Sequence, residues 1–531
     1  MKRLTCLLLL IVVIPLGAAQ GGRRVPPSSK PAATAKVSRP ANSGAISAND
    51  QDFNEAQNLI RAGKYAEASQ KLFALSYSPR YRDKRMQIKY VLGLALQQLK
   101  LNQVAAFQYI GVVKEGNNKF IKQSLERLSL AADSLGDDTL LNYAISRVNV
   151  DEFPRVHRDM LYFRIGEYLM RNKQFEQAAR SFEKVSSSSN LYAGARYQQG
   201  LSLAELNQLD RSVAAFDEII QYRSGASVTD KVRLAALMGK ARALYQRKSW
   251  DQAIETYREI PRDSEFWHDT VFESSWAMLR SGRFRSSLSN FQTLHSAFYE
   301  EFYLPESLLL RAIVYLYICK YDEMDKVLTL FNSIYKPVYD QINKTLEMTE
   351  DPNRYFNMIN EMMKAAKRGD SSNMSTAIPY IVAQKITREA DFQGSFQYIR
   401  KLLEERNRIQ KLPGGWSSSA VGQYAMKVLN TRINKAKEKA GKIVRNHLLV
   451  IREELVDQIE QEGFARYEMI NGRKESLKKR IAGKDLPAAQ VDESNKRDYY
   501  IQNGYEYWPF SGEYWLDELG NYHYVGTQSC N

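Results

Sequence analysis

The sequence predicts an all-α chain: a solenoid of helical hairpins, then long C-terminal helices, then a small aromatic-rich cap. Three observations predict it. Small residues recur midway along successive helical stretches, each followed at related offsets by a turn, an aromatic or apolar residue, a second small residue and a large apolar one. Residues 421–481 contain no proline and only four glycines, Gly422, Gly441, Gly463 and Gly472. Cysteine is scarce, with Cys6, Cys319 and Cys530 alone, so apolar packing must hold the body rather than a disulfide framework.

Residues 1–19 have the layout of a secretory signal peptide. Lys2 and Arg3 precede the apolar run Leu4–Leu16, and Gly17, Ala18 and Ala19 supply the small residues of a cleavage site. The run is short of the roughly 20 residues a membrane-crossing helix needs, so no transmembrane span is expected after cleavage. Residues 20–50 follow as a basic linker rich in Pro, Ser and Ala, with Arg23, Arg24, Lys30, Lys36 and Arg39 and no acid before Asp50. It reads as a solvated spacer or as a tether to an anionic surface.

The repeat signal occupies residues 51–340. The first unit has Ala56, Gly63, Tyr65, Ala68 and Leu72, and the second has Gly93, Ala105 and Tyr109, with Asn102 in the aromatic position. The third has Gly166, Phe175, Ala178 and Phe182, followed by Gly200, Leu209, Ser212 and Phe216. Then come Ala241, Trp250, Ala253 and Tyr257; Ser275, Gly282, Phe284, Ser287 and Phe291; and Ala312, Tyr321, Met324 and Leu328. From Gly166 the first-helix small positions are 34, 41, 34 and 37 residues apart. Residues between Tyr109 and Gly166 are less regular, with "QSLERLSLAADSL" and "DDTLLNYAISRV" as a degenerate pair. The pattern resembles the tetratricopeptide repeat, and the whole resembles exported tetratricopeptide proteins of the bacterial cell envelope. That resemblance implies an extended surface that receives peptides or helices. Candidate protein-binding residues on the first helices are Arg164, Gln198, Gln199, Lys240 and Arg242, with Asn207 at a turn.

Residues 341–415 read as a helical extension. Residues 416–482 then form either one long helix or two antiparallel helical arms broken near Gly463. Leu429, Ile433, Ala436, Ala440, Ile443 or Val444, Leu448, Ile451, Leu455 and Ile459 alternate near three and four residues apart, a coiled-coil-like seam that needs a partner. Residues 483–495 read as a linker containing Pro487. Residues 496–531 crowd aromatics together, including Tyr505, Tyr507, Trp508, Phe510, Tyr514 and Trp515. They read as a packed cap or as a recognition patch.

No catalytic, cofactor-binding or metal-binding set emerges. The five histidines His157, His268, His295, His447 and His523 lack ligand spacing, and there is no HExxH or nucleophile arrangement. Glu513, Asp517 and Glu518 lie among aromatics, as glycosidase acids do, but without a recognisable pocket. The net charge of +15 comes without a nucleic-acid motif. The expectation is therefore a periplasmic, non-catalytic scaffold with no cofactor and no nucleic acid. Its partners would be envelope proteins or peptides, with contact to peptidoglycan or an anionic lipid surface. The alternative is a wall-associated glycan-binding module that uses the Tyr/Trp-rich end. Sequence leaves open whether Cys319 and Cys530 pair.

Overall fold

In the computed structural model the described residues are 51–115, 119–137, 139, 155–222, 230–296, 304–368 and 377–481. They are helical, in the order α1 (Gln51–Arg61), α2 (Tyr65–Tyr77), α3 (Arg85–Gln98), α4 (Asn102–Lys114), α5 (Ile121–Leu135), α6 (Arg155–Arg171) and α7 (Phe175–Glu183). Next are α8 (Tyr192–Glu205), α9 (Leu209–Gln221), α10 (Asp230–Gln246), α11 (Trp250–Arg258), α12 (Trp267–Arg280) and α13 (Phe284–Leu294). The chain continues with α14 (Pro305–Tyr317), α15 (Tyr321–Met348), α16 (Pro352–Arg368), α17 (Tyr380–Arg388), α18 (Ala390–Gln410) and α19 (Ala420–Ile481). The segments expected at 1–19, 20–50, 483–495 and 496–531 lie outside the described residues, as does the second half of the degenerate pair apart from Asp137 and Thr139.

Seven hairpins follow one rule. The small residue of the first helix faces the large residue sixteen positions later on the second. Where that small residue is glycine the approach leaves no room for a side chain: a Cβ would lie 2.4 Å from the Tyr109 ring at Gly93, 2.5 Å from Phe182 at Gly166 and 2.8 Å from Phe216 at Gly200. Ala56, Ala241, Ser275 and Ala312 take the same place opposite Leu72, Tyr257, Phe291 and Leu328, and all are buried. The second small positions, Ala68, Ala105, Ala178, Ser212, Ala253 and Ser287, are fully buried, as is the larger Met324. Ser212 and Ser287 donate their hydroxyls to the carbonyls of Gly200 and Ser275, so a polar side chain is tolerated there. Phe216 also meets the next repeat, since a Cβ at Gly239 of α10 would lie 2.6 Å from its ring.

Each turn is built the same way. Seven positions after the small residue the backbone turns left-handed, at Gly63, Lys100, Lys173, Asn207, Lys248, Gly282 and Cys319. The amide after that residue bonds back across the turn, as in Leu101 to Leu96 and Ser249 to Leu244, both 2.9 Å. This is the Schellman closure, which satisfies carbonyls the helix end would otherwise leave bare. Gly63 and Gly282 therefore serve the turn and have no neighbour to pack against. Cys319 is disulfide-bonded, and Cys530 lies outside the described residues.

The helices form two compact units. One joins residues up to Val185 with Glu389–Ile443, and the other joins Ser186–Arg388 with the described residues from Val444 onward. The expected end of the array at 340 falls inside α15, which runs 28 residues through the exposed Pro337. Its buried face continues past the proline through Val338, Ile342 and Thr345, which sustains the helix despite the lost amide. The open choice between one long helix and two arms resolves to one. In α19 the buried Leu455, Glu462 and Met469 carry the seam across Gly463, and Arg466 bonds both Glu462 at 2.8 Å and Asp325 at 2.7 Å.

The close approach and the turn give opposite stability expectations. Gly200→Ala should lower stability by about 1–3 kcal/mol through overpacking against Phe216, although alanine is the better helix former by about 1 kcal/mol. Lys248→Gly should raise stability by about 1 kcal/mol by relieving left-handed strain. Denaturant unfolding of the full chain would measure both, and equal signs would contradict the assigned roles.

Candidate protein-interaction surface

The residues three before and one after each small position sit about 60° and 100° around the first helix from the buried seam, so they flank it at the surface. In the second unit these positions hold Tyr197, Leu201, Arg242, Phe272, Trp276 and Ile313, all half-buried, while the two remaining ones, Met238 and Leu309, are buried. Tyr317 extends the row, exposed and stacked on Phe284 with centroids 5.5 Å apart. The first helices thus present an apolar and aromatic row in repeat register. Arg242 is its one charged member. It binds Glu273 through two bonds of 2.8 and 2.6 Å, and Tyr257 donates to the same carboxylate at 2.9 Å. Burial, then Glu273, pushes the Tyr257 phenol well above the usual tyrosine range. The charge in the row is therefore neutralised from within.

The other sequence candidates are drawn into similar pairings. Arg164 is buried and pairs with Asp133 and, at 2.8 Å, with Glu167. Gln199 is buried and accepts from Arg196 at 2.6 Å. Lys240 reaches Asp217 at 2.7 Å, across to the preceding hairpin. Asn207 is exposed in its turn and accepts from Gln246 at 3.4 Å. Gln198 is half-buried. Neighbouring turns repeat the motif, with Arg247 to Asp210 at 2.7 Å and Arg283 to Asp251 at 2.8 Å. Lys240, Arg242, Asn207, Arg247 and Arg283 thus join one hairpin to its neighbour, whereas Gln199 pairs within its own helix. Sequence spacing placed them on the right helices but could not show partners some thirty residues away. The row of half-buried apolar residues was missed as a surface, although its offset from the small positions was readable.

In the first unit α2 and α4 are covered by the chain's own C-terminal part. Trp416 is fully buried and donates its indole N–H to Ser69 of α2 at 2.9 Å. Tyr398 of α18 donates to Gln103 at 2.6 Å, and Gln108 donates to Tyr424 of α19 at 3.3 Å. Arg432 lies over the Phe107 ring, 5.1 Å from its centroid. Glu405 of α18 accepts the backbone N–H of Gln103 with both oxygens, at 3.0 and 3.1 Å. It thereby caps the N-terminus of α4 from a distant part of the chain. Burial pushes its carboxyl up to about 8, against the opposing pull of the Gln103 and Asn102 amides and Arg408. In the second unit, Arg466 and Arg473 of α19 bind Asp325 and Asp322 of α15, both at 2.7 Å. Burial and Glu454 push Glu306 up to about 7, against Lys385.

One pair has the outline of a catalytic dyad. His295 Nε2 lies 2.7 Å from the Ser307 hydroxyl. Ser307, however, donates to the Leu304 carbonyl at 2.6 Å, while Arg311 approaches His295 Nδ1 at 3.3 Å. Arginine can only donate, so Nδ1 is the acceptor and Nε2 carries the proton. The imidazole therefore donates to the serine and cannot take its proton. Burial, then Arg311, pushes its pKa down to about 3, which keeps it neutral. Among the described residues no group of three His, Cys, Asp or Glu could hold a metal ion, and no helix is long and apolar enough to cross a membrane.

A tetratricopeptide repeat family model matches residues 163–227 and 197–266. Hairpins of this kind are a non-catalytic scaffold class for protein–protein interaction. The chain is similar to a tetratricopeptide repeat protein from Parabacteroides merdae, 12% identical over 46% of this chain and 91% of that one, with a TM-score of 0.28. It is also similar to a Rap protein complexed with competence and sporulation factor, at 12% identity over 73% and 99%, TM-score 0.29. The P58(IPK) TPR domain aligns at 10% identity over 73% and 98%, TM-score 0.18. Likenesses of this size carry no functional argument. No curated protein is detectably similar to the chain.

The raised Glu405 sets a pH dependence. Its folded pKa lies above the unfolded value, so the folded state holds the proton more tightly. Its contribution to stability falls as pH rises from about 4.5 through about 8. Glu405→Gln retains an acceptor for α4 without the buried charge. The variant should therefore gain stability relative to the parent between pH 5 and pH 9 in denaturant unfolding. A parent-to-variant difference independent of pH would contradict the buried-carboxyl account.

Proposed function

We propose that this chain is a non-catalytic scaffold of a bacterial cell-envelope assembly. It takes partner proteins or peptides on the first-helix face of its second unit. One observation carries the reading: the apolar row from Tyr197 through Trp276 to Tyr317 repeats in hairpin register, and its single charge is already paired. Apolar and aromatic positions at fixed spacing suit a helix or extended segment whose own apolar residues recur, with affinity concentrated in the aromatic anchors. Placement in the periplasm is supported by the signal-peptide layout of Lys2, Arg3 and Leu4–Leu16. A glycan-binding reading would use Tyr507, Trp508 and their neighbours, which lie outside the described residues, so no structural observation favours it.

A photo-crosslinking amino acid at Trp276 or at Tyr317 of the full-length protein, in its native cells, tests this directly. Mass spectrometry should identify the same envelope proteins from both positions. Leu201→Asp with Ile313→Asp should reduce their yield at least tenfold while leaving helical content unchanged. Capture of no protein from either position, or of wall glycan that depends on Trp508, would overturn the proposal.

A further inference from the structure

Positive charge is unevenly distributed. Among the described residues the first unit has 31 Lys and Arg against 17 Asp and Glu, and the second has 32 against 28. The excess is densest on the early part of α19. From Lys427 to Lys442 there are six Lys or Arg and one acid, Glu438. Arg432 is turned onto Phe107, and Lys437 is half-buried. Lys427, Lys435, Lys439 and Lys442 are exposed on one side of the helix, opposite the buried Leu429, Ile433, Ala436 and Ala440. Lys442 pairs with Glu438, whereas Lys427, Lys435 and Lys439 have no acidic partner among the described residues. The four span ~23 Å of helix at about 1.5 Å per residue.

An ordinary wet helix face mixes signs, because like charges three or four residues apart weaken a helix. Lys435, Lys439 and Lys442 stand at those spacings. The later part of the same helix does mix them, with Glu453, Asp457, Glu460, Glu468 and Glu475 among Arg466, Arg473, Lys474 and Lys478. The exposed neighbours of the lysine stripe, Gln423, Asn430, Thr431 and Asn434, are polar and uncharged. It has no aromatic or apolar anchor of the kind that dominates protein interfaces. It also lacks the aromatics on which single-stranded bases stack and, with Arg432 turned inward, the arginine forks that grip individual phosphates. Lysines are solvated point charges on flexible stems, suited to a diffuse anionic surface.

We propose that this stripe rests on the phosphate-bearing headgroups of an anionic bilayer. The proposal does not depend on which partner the first-helix row takes. It holds the first unit against a membrane face electrostatically, without a span, and so should weaken steeply with salt.

The test is sedimentation or flotation of the full chain with vesicles of phosphatidylcholine alone or with phosphatidylglycerol. The protein should bind the phosphatidylglycerol vesicles selectively, and 0.5 M salt should release it. Lys435→Glu with Lys439→Glu should lower binding at least about 20-fold, since each charge near such a surface is worth about fivefold. Lys336→Glu with Lys344→Glu, an equal charge change on exposed lysines of α15, should change it less than about threefold. Equal losses in the two variants, full binding by the α19 variant, or no preference for phosphatidylglycerol would overturn the proposal. So would tighter binding to duplex DNA or polyglutamate, assayed in parallel. The substitutions are on exposed positions, and an unchanged melting curve confirms that the loss is one of binding.

Discussion

The close approach between a small first-helix residue and a large residue sixteen positions later governs this architecture. It fixes how two helices meet, and the left-handed turn seven positions on fixes where the second helix begins. Once both are set, the remaining first-helix positions have no freedom of direction. The position after each small residue flanks the seam, which is why Leu201, Trp276 and Ile313 line up although no two of them share a hairpin. The same constraint places Phe216 against Gly239, so each hairpin shapes the surface that receives the next. The interaction surface is a by-product of packing geometry rather than a separate construction.

The two faces of the hairpins have different fates. In the first unit, the outer face of α2 and α4 is closed by α18, Trp416 and the start of α19. That closure is specific: an indole on Ser69, a carboxyl on the N-terminus of α4, and phenols on Gln103 and Gln108. Residues 389–443 are thus part of the fold of the first hairpins, three hundred positions away in sequence. The first-helix side is where the second unit shows its apolar row.

Much of this was legible in the sequence, and what was not has definite physical causes. The hairpins were readable because every unit repeats the same offsets from its small residue. The turns were only partly readable, since five of the seven left-handed positions are Lys, Asn or Cys and are held there by the turn's hydrogen bonds rather than by residue type. Arg164, Lys240 and Arg242 were placed on first helices, but Asp133, Asp217 and Glu273, which pair with them, come from other helices, and nothing local announces them. Glu405 looks like an ordinary acid of a charged helix until its contact with Gln103 is known. The seam of α19 was visible as a need for a partner. That its first part meets α2 and α4 required the structure.

The central claim is that the first hairpins and residues 390–443 form one cooperative unit. Native-state hydrogen exchange of the full chain across a series of denaturant concentrations tests it most directly. The account predicts that the slowest amides of 65–77, 102–114 and 398–440 open together, with one free energy and one denaturant dependence. If 398–440 instead exchanges at a much lower free energy while α2 and α4 stay protected, the C-terminal helices are an appendage, and the closed second-helix face is not part of the fold.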